Sequence, residues 1–188
     1  MSGGHGHIDP SNRNIAMLIS VLALVLAISE TLGKAAQTTA LTVNIEAANL
    51  WNFFQAKTIR GTVLKTAAEE MEVELPRVTD ARAREAMEKR VADWKRNEAR
   101  YQSEPETGEG RKELMARALA AEKKRDFSLA AYHNFEIASA AVQIAIVLAS
   151  AEVITGVVAL MWIASGLGIL GVAFCTIGIF WPTAVHLF

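Results

Sequence analysis

The sequence predicts an all-α protein in which three transmembrane helices carry a charged helical extramembrane domain, inserted as a hairpin or bundle between the first and second. Three observations point there. All 19 Lys and Arg residues lie between Arg13 and Arg125, so residues 126–188 hold no basic group. Three stretches reach the roughly 20 apolar residues that a hydrocarbon core of about 30 Å requires. From Arg77 to Asp126 charges of both signs interleave at helical spacing, the pattern of solvated helices. A chain that is 52% hydrophobic yet segregates its charges this way reads as a membrane protein with a polar domain.

Residues 1–14 form an amino-terminal tail, followed by a first span over 15–32 in which Glu30 is the only ionisable group. Ala27 and Ser29 also have the small-residue spacing of a signal-peptidase site, and retention of Met1 in the mature protein would exclude cleavage. The 49 residues of 137–185 contain one acid, Glu152, and as one helix would extend about 74 Å, too far for a single pass. A break at Thr155-Gly156 divides them into spans at 137–154 and 157–181, with Pro182 ending the last. Lys34, Arg117, Lys123, Lys124 and Arg125 flank the domain side against Arg13 alone on the other, which predicts a cytoplasmic domain in a cell membrane. Lys123, Lys124 and Arg125 could also meet anionic headgroups.

The domain occupies 33–136. Asp80 with Arg84, Glu85 with Lys89 and Glu113 with Arg117 are acid-to-base pairs four apart. Met87, Val91, Trp94 and Tyr101 mark one buried stripe; Leu114, Ala118, Ala121 and Tyr132 mark a second. Pro105, Gly108 and Gly110 make 103–110 a loop, so arms at 77–101 and 111–136 are expected to pair as a helical hairpin or short coiled coil.

Residues 35–56 form a helix with Glu46 as the only charge and with two apolar faces. Leu41, Ile45, Ala48 and Ile59 cluster on one side; Val43, Ala47, Leu50 and Phe54 cluster opposite, with Trp51 beside them. Two apolar faces need two partners: the protein's own bundle and a neighbouring subunit, or two sides of one monomeric bundle. Because the chain leaves the membrane at Leu32 and returns at Ile137, the domain must make an even number of passes. A break near Gly61, a kink at Pro76 or a segment parallel to the bilayer would each satisfy this, and a bend at Gly61 with a turn at Pro76 is favoured.

Small residues let helices approach in lipid, and Ala164, Gly168, Gly171, Cys175 and Gly178 form a continuous small stripe. Span one carries Ala16, Ser20, Ala23 and Ala27; span two carries Ala138, Ala141, Ala145 and Ala149. Gly166, Gly168 and Gly171 also fit a dinucleotide fingerprint, but no strand precedes them and no polar surround exists. Glu30 and Glu152 are the candidate intramembrane polar residues. Lys34 lies one turn from Glu30, which predicts an ion pair, and Glu152 is placed to reach the headgroup region.

His5 and His7 make an incomplete metal site in a Gly-rich tail, and His133 and His186 belong at the interface. A single Cys excludes a cysteine zinc cluster and a disulfide framework. No nucleophile elbow, phosphate loop or nucleic-acid charge pattern occurs, so neither catalysis, cofactor, metal nor nucleic acid is expected.

At Ala40-Leu-Thr-Val-Asn-Ile-Glu-Ala-Ala-Asn-Leu-Trp51, Phe54-Gln-Ala-Lys-Thr-Ile-Arg60, Tyr101-Gln-Ser-Glu-Pro-Glu-Thr-Gly-Glu-Gly-Arg-Lys-Glu-Leu114 and from Tyr132-His-Asn-Phe-Glu-Ile-Ala138 to Ala151, the chain resembles a bacterial membrane-protein family known as domain of unknown function 4337. The resemblance covers nearly the whole chain. It implies a bacterial inner-membrane location and brings no activity, cofactor or catalytic residue with it. The expected function is that of a non-enzymatic homo-oligomer with a scaffold or docking domain. The alternatives are an oligomeric channel or transporter-like protein, with Glu152 or Thr and Asn side chains lining a path, and an accessory subunit docked on a different membrane protein.

Overall fold

The computed structural model describes residues 10–185, which hold four α-helices and one short 3-10 turn. Helix α1 runs Pro10–Glu74, α2 Ala81–Gln102, α3 Arg111–Thr155 and α4 Val158–Phe180, with the 3-10 turn at Leu75–Arg77. His5, His7, His186 and Met1 lie outside the described residues. The helices divide into two compact units, one comprising the described part of 1–41 and 125–188, the other Thr42–Lys124. Helices α1 and α3 are common to both.

Helix α1 is 65 residues long and unbroken. Gly61 does not interrupt it, contrary to the bend expected there. The glycine is buried, and a Cβ at 61 would lie 3.9 Å from Tyr101 Cβ, an ordinary contact. A single glycine costs a helix only about 1 kcal/mol, less than packing on both sides of it returns. The helix stops instead at Pro76, whose missing N–H and ring force the 3-10 turn, and Asp80 Oδ1 caps the next helix by accepting from Arg82 N at 2.8 Å.

Buried positions on α1 repeat at 3.5 residues. Ile15, Leu22, Ser29, Val43, Leu50 and Lys57 occupy one heptad position, and Ala40, Ala47, Gly61 and Ala68 occupy the alternate one. An ideal helix drifts about 20° per heptad against such a repeat, the mismatch that left-handed supercoiling relieves in coiled coils.

In the unit of 42–124, both arms lie against α1 rather than against each other. Lys95 of α2 pairs with Glu72 at 2.5 Å, and Tyr101 sits beside Lys57 and Gly61. The first turns of α3 continue the same line. Arg111 stacks on Phe54, and Leu114, Ala118 and Ala121 form one cluster with Val43, Ala47 and Leu50. The expected pairing of arms 77–101 and 111–136 is therefore replaced by two helices running end to end along α1. Length accounts for this: the 33 residues of α1 from 42 to 74 extend about 50 Å, and α2 followed by residues 111–124 covers nearly the same distance.

The other unit is a bundle of α1, α3 and α4. Ile15 and Leu22 of α1 pack with Val142, Ala145 and Ala149 of α3 and Ala164 of α4. A second cluster joins Ala131, Phe135 and Ala138 to Cys175, with Leu32 and Ala36 against it. Between α3 and α4, Gly156 adopts φ +68°, a left-handed conformation that side chains resist, and this permits the reversal.

Candidate functional site

The first constellation centres on Lys57, a charged residue on the inward stripe of α1. Its side chain is 8% exposed. The ammonium lies 5.4 Å from the centroid of Phe53 and 5.1 Å from that of Tyr101, within cation–π range of both. Glu104 Oε2 stands 3.9 Å away and Glu109 Oε2 3.8 Å away, both from loop 103–110. Two ring faces and two carboxylates compensate a charge that burial would otherwise penalise.

The loop is braced by Glu113, in the first turn of α3. Ser103 Oγ donates to Glu113 Oε1 at 2.6 Å and the Glu104 amide donates to Glu113 Oε2 at 3.2 Å. The Ser103 hydrogen bond, opposed by partial burial, holds the Glu113 carboxyl below its usual range. Arg100 does the same for Glu104, to which it donates at 3.0 Å through Nε. Gly108 has φ +67°, so the tip of the loop turns through a left-handed conformation. The segments at 54–60 and 101–114 thus meet at one ammonium.

The second constellation is a groove of about 430 Å³ between α1 and α3, lined among others by Ser29, Glu30, Lys34, Glu136, Ser139 and Gln143. The Glu30 carboxylate accepts from Gln143 Nε2 at 3.1 Å. The expected pair with Lys34 is not seen: among the described residues the Glu30 carboxylate meets Gln143 of the facing helix and no Glu30–Lys34 ion pair forms. Tyr132 donates to Glu136 at 3.3 Å, and the carboxylate charge raises the phenol pKa. His133 lies 3.7 Å from Glu136.

Hydroxyls in the apolar stretches return their hydrogen to the helix, as Ser20 does to Ala16 O and Ser150 to Ile146 O, both at 2.8 Å. Ser29 does not; its Oγ is buried without a partner. Glu152 is also buried, with Oε2 unpartnered.

The small stripe of α4 faces inward throughout: Ala164, Gly168, Gly171, Cys175 and Gly178 are its buried residues. A Cβ at 168 would meet Leu22 Cδ2 at 2.6 Å, and one at 178 would meet Phe135 Cε1 at 2.9 Å. On α3, Ala138, Ala141, Ala145 and Ala149 are likewise buried, whereas Ala16, Ser20, Ala23 and Ala27 of α1 face out. There the bulkier Ile15 and Leu22 point inward, filling space that the small side chains of α3 and α4 leave open.

Of the two faces read on 35–56, one is covered and one is not. Val43, Ala47 and Leu50 are buried, and Trp51 and Phe54 are half-buried in the same cluster, in edge-to-face contact at 5.5 Å. Leu41 and Ile45 are 61% and 62% exposed. Sequence reading did not single out Lys57, Gln143 or the loop carboxylates. Lys57 had one available signal, a charge seven residues after Leu50 on an otherwise apolar stripe.

No group of three or more metal-ligating side chains occurs among the described residues. Three helices, those of α1, α3 and α4, are long and apolar enough to cross a membrane by length and composition. Comparison finds no match among curated proteins or solved structures. A family model matches residues 11–181, from the first turn of α1 to the end of α4, and on that span the chain belongs to the family Domain of unknown function (DUF4337).

Proposed function

We propose that the protein is a non-enzymatic, homo-oligomeric integral membrane protein of the bacterial inner membrane, in which 42–124 forms a cytoplasmic scaffold or docking domain. The spans would be the first part of α1, the last part of α3 and α4, with the domain inserted between the first two. The observation that carries this reading is the direction in which the apolar residues face. Only 17%, 33% and 22% of the most apolar windows of α1, α3 and α4 are buried within the protein. Met17, Leu24, Val147, Trp162 and Ile169 are all exposed. Water would penalise that much contiguous apolar surface, and lipid would not.

Self-association is supported by the uncovered face of α1, on which Leu41, Ile45, Ile59 and Val63 stand exposed beyond the apolar stretch. The test is extraction: the protein should remain with membranes until detergent is added, and its mass in detergent should exceed that of one 20.4 kDa chain. Release into the supernatant without detergent would overturn the membrane assignment, and a strict monomer would overturn the oligomer.

A second reading, an oligomeric channel or transporter, draws support from Glu152, a buried carboxylate with an unpartnered oxygen. It requires a conductance in liposomes that Glu152→Gln abolishes.

A further inference from the structure

Opposite the buried stripe, the outer side of α1 carries a second 3.5-residue repeat. Ile45, Asn52, Ile59, Thr66 and Val73 recur every seven residues, and Leu41, Ala48, Gln55 and Thr62 form a second set four residues before the first four of them, which Glu69 continues; every one of them is exposed. From 41 to 66 no charge falls on either set. We propose that this seam binds the α1 helix of a second copy, parallel and in register, as a two-stranded coiled coil. The inference rests on the oligomeric reading above and adds the surface, the direction and the register.

Three features fix the occupant. The first set corresponds to the a positions of a heptad and is β-branched at Ile45, Ile59, Thr66 and Val73, the side-chain shape that favours two parallel strands. Its one interruption is Asn52, and a buried a-position Asn pairs with its own copy across a two-fold axis and so specifies register. The flanking charges agree. Lys65 takes a g position and Glu70 the e position five residues on, so each Lys65 would face the Glu70 of the other copy in a parallel pair. Among the described residues Lys65 pairs with Glu69 at 3.9 Å, with both side chains mostly exposed, an attraction weak enough to exchange.

Membrane insertion supplies the direction. Two copies inserted the same way and related by a two-fold axis along the membrane normal run parallel in this segment. A lipid occupant is disfavoured by Asn52, Gln55, Thr62 and Thr66, whose amides and hydroxyls would lose their hydrogen bonds in hydrocarbon. A highly charged partner is disfavoured by the uncharged seam.

The test is oxidative cross-linking of the full chain in native membranes, with Cys175→Ala as background. Ile59→Cys and Ile45→Cys should each give a disulfide-linked dimer, because a positions of a parallel in-register pair face each other. Arg60→Cys, one residue off the seam, should not. Lys65→Glu should lose the dimer band and addition of Glu70→Lys should restore it, a recovery that damage to the fold would not produce. An oligomer in detergent without cross-links at 45 or 59 overturns the seam and leaves the oligomer standing. Cross-links as strong at 60 as at 59 also overturn it, and a strictly monomeric mass overturns both.

Discussion

Trp51 and Glu122 lie 71 positions apart and are joined by a hydrogen bond from the indole Nε1 to Oε1 at 2.8 Å. Helical side chains lean toward their own N-terminus, so across the antiparallel pair of α1 and α3 Trp51 and Glu122 lean toward each other. The bond gives a half-buried indole N–H the acceptor it needs and fixes the sliding register of the two helices.

Removing that acceptor should loosen the domain. Glu122→Leu is expected to cost about 1–2 kcal/mol, while Glu122→Gln, which retains a carbonyl acceptor, should cost less than half as much. Thermal unfolding of both variants in the same detergent would check this; equal losses would show that the hydrogen bond contributes little.

The Lys57 cage leads to a second expectation. Lys57→Met keeps the length of the side chain but removes the charge that both rings and two loop carboxylates face. Stability should fall by about 1–3 kcal/mol, and amides of 103–110 should exchange faster with solvent. Hydrogen exchange by mass spectrometry resolves the two effects.

The same loop should respond to acid. Glu104 and Glu113 both have folded pKa values below the unfolded value, so the stability they contribute is present above the unfolded carboxylate range. It is lost as pH falls through their lowered folded values. The protection of 103–110, taken relative to the intrinsic exchange rate at each pH, should therefore be flat near neutral pH and fall only below about pH 4. Glu113→Gln should be less protected at neutral pH and show a smaller acid-induced loss of protection.

In the bundle, Gly178→Leu should be more damaging than substitution of an outward residue of the same helix such as Ile179→Leu. A side chain at 178 meets the Phe135 ring, and overpacking of this kind costs about 1–3 kcal/mol or more. Gly156→Ala should cost about 1–2 kcal/mol through its left-handed backbone alone. Melting temperatures in detergent, read beside the Ile179 control, test both.

Much of this architecture was legible because composition determines it. The apolar stretches, the reversal at Gly156 and the loop at 103–110 follow from residue types that allow little else. The partner of each arm was not legible. The stripe of Val91 and Tyr101 shows that α2 has an inward face but not which helix receives it, and α1 outcompeted the shorter arm because it presents a heptad stripe long enough for both. Gly61 looked like a break because propensity is local, whereas its contact with Tyr101 is 40 residues away in sequence. Lys57 and Gln143 escaped because their partners come from distant segments, and spacing within one helix cannot reveal them.

The unbroken heptad stripe of α1 restricts how the gene can change length. Deleting one residue anywhere in the middle of that helix would rotate everything beyond it by about 100°, turning Leu50, Lys57 and Ala68 away from their contacts. Insertions and deletions there should be tolerated chiefly in blocks of seven, so relatives that differ in length along this rod are expected to differ by whole heptads, with other size changes confined to the loop and the two ends of the chain.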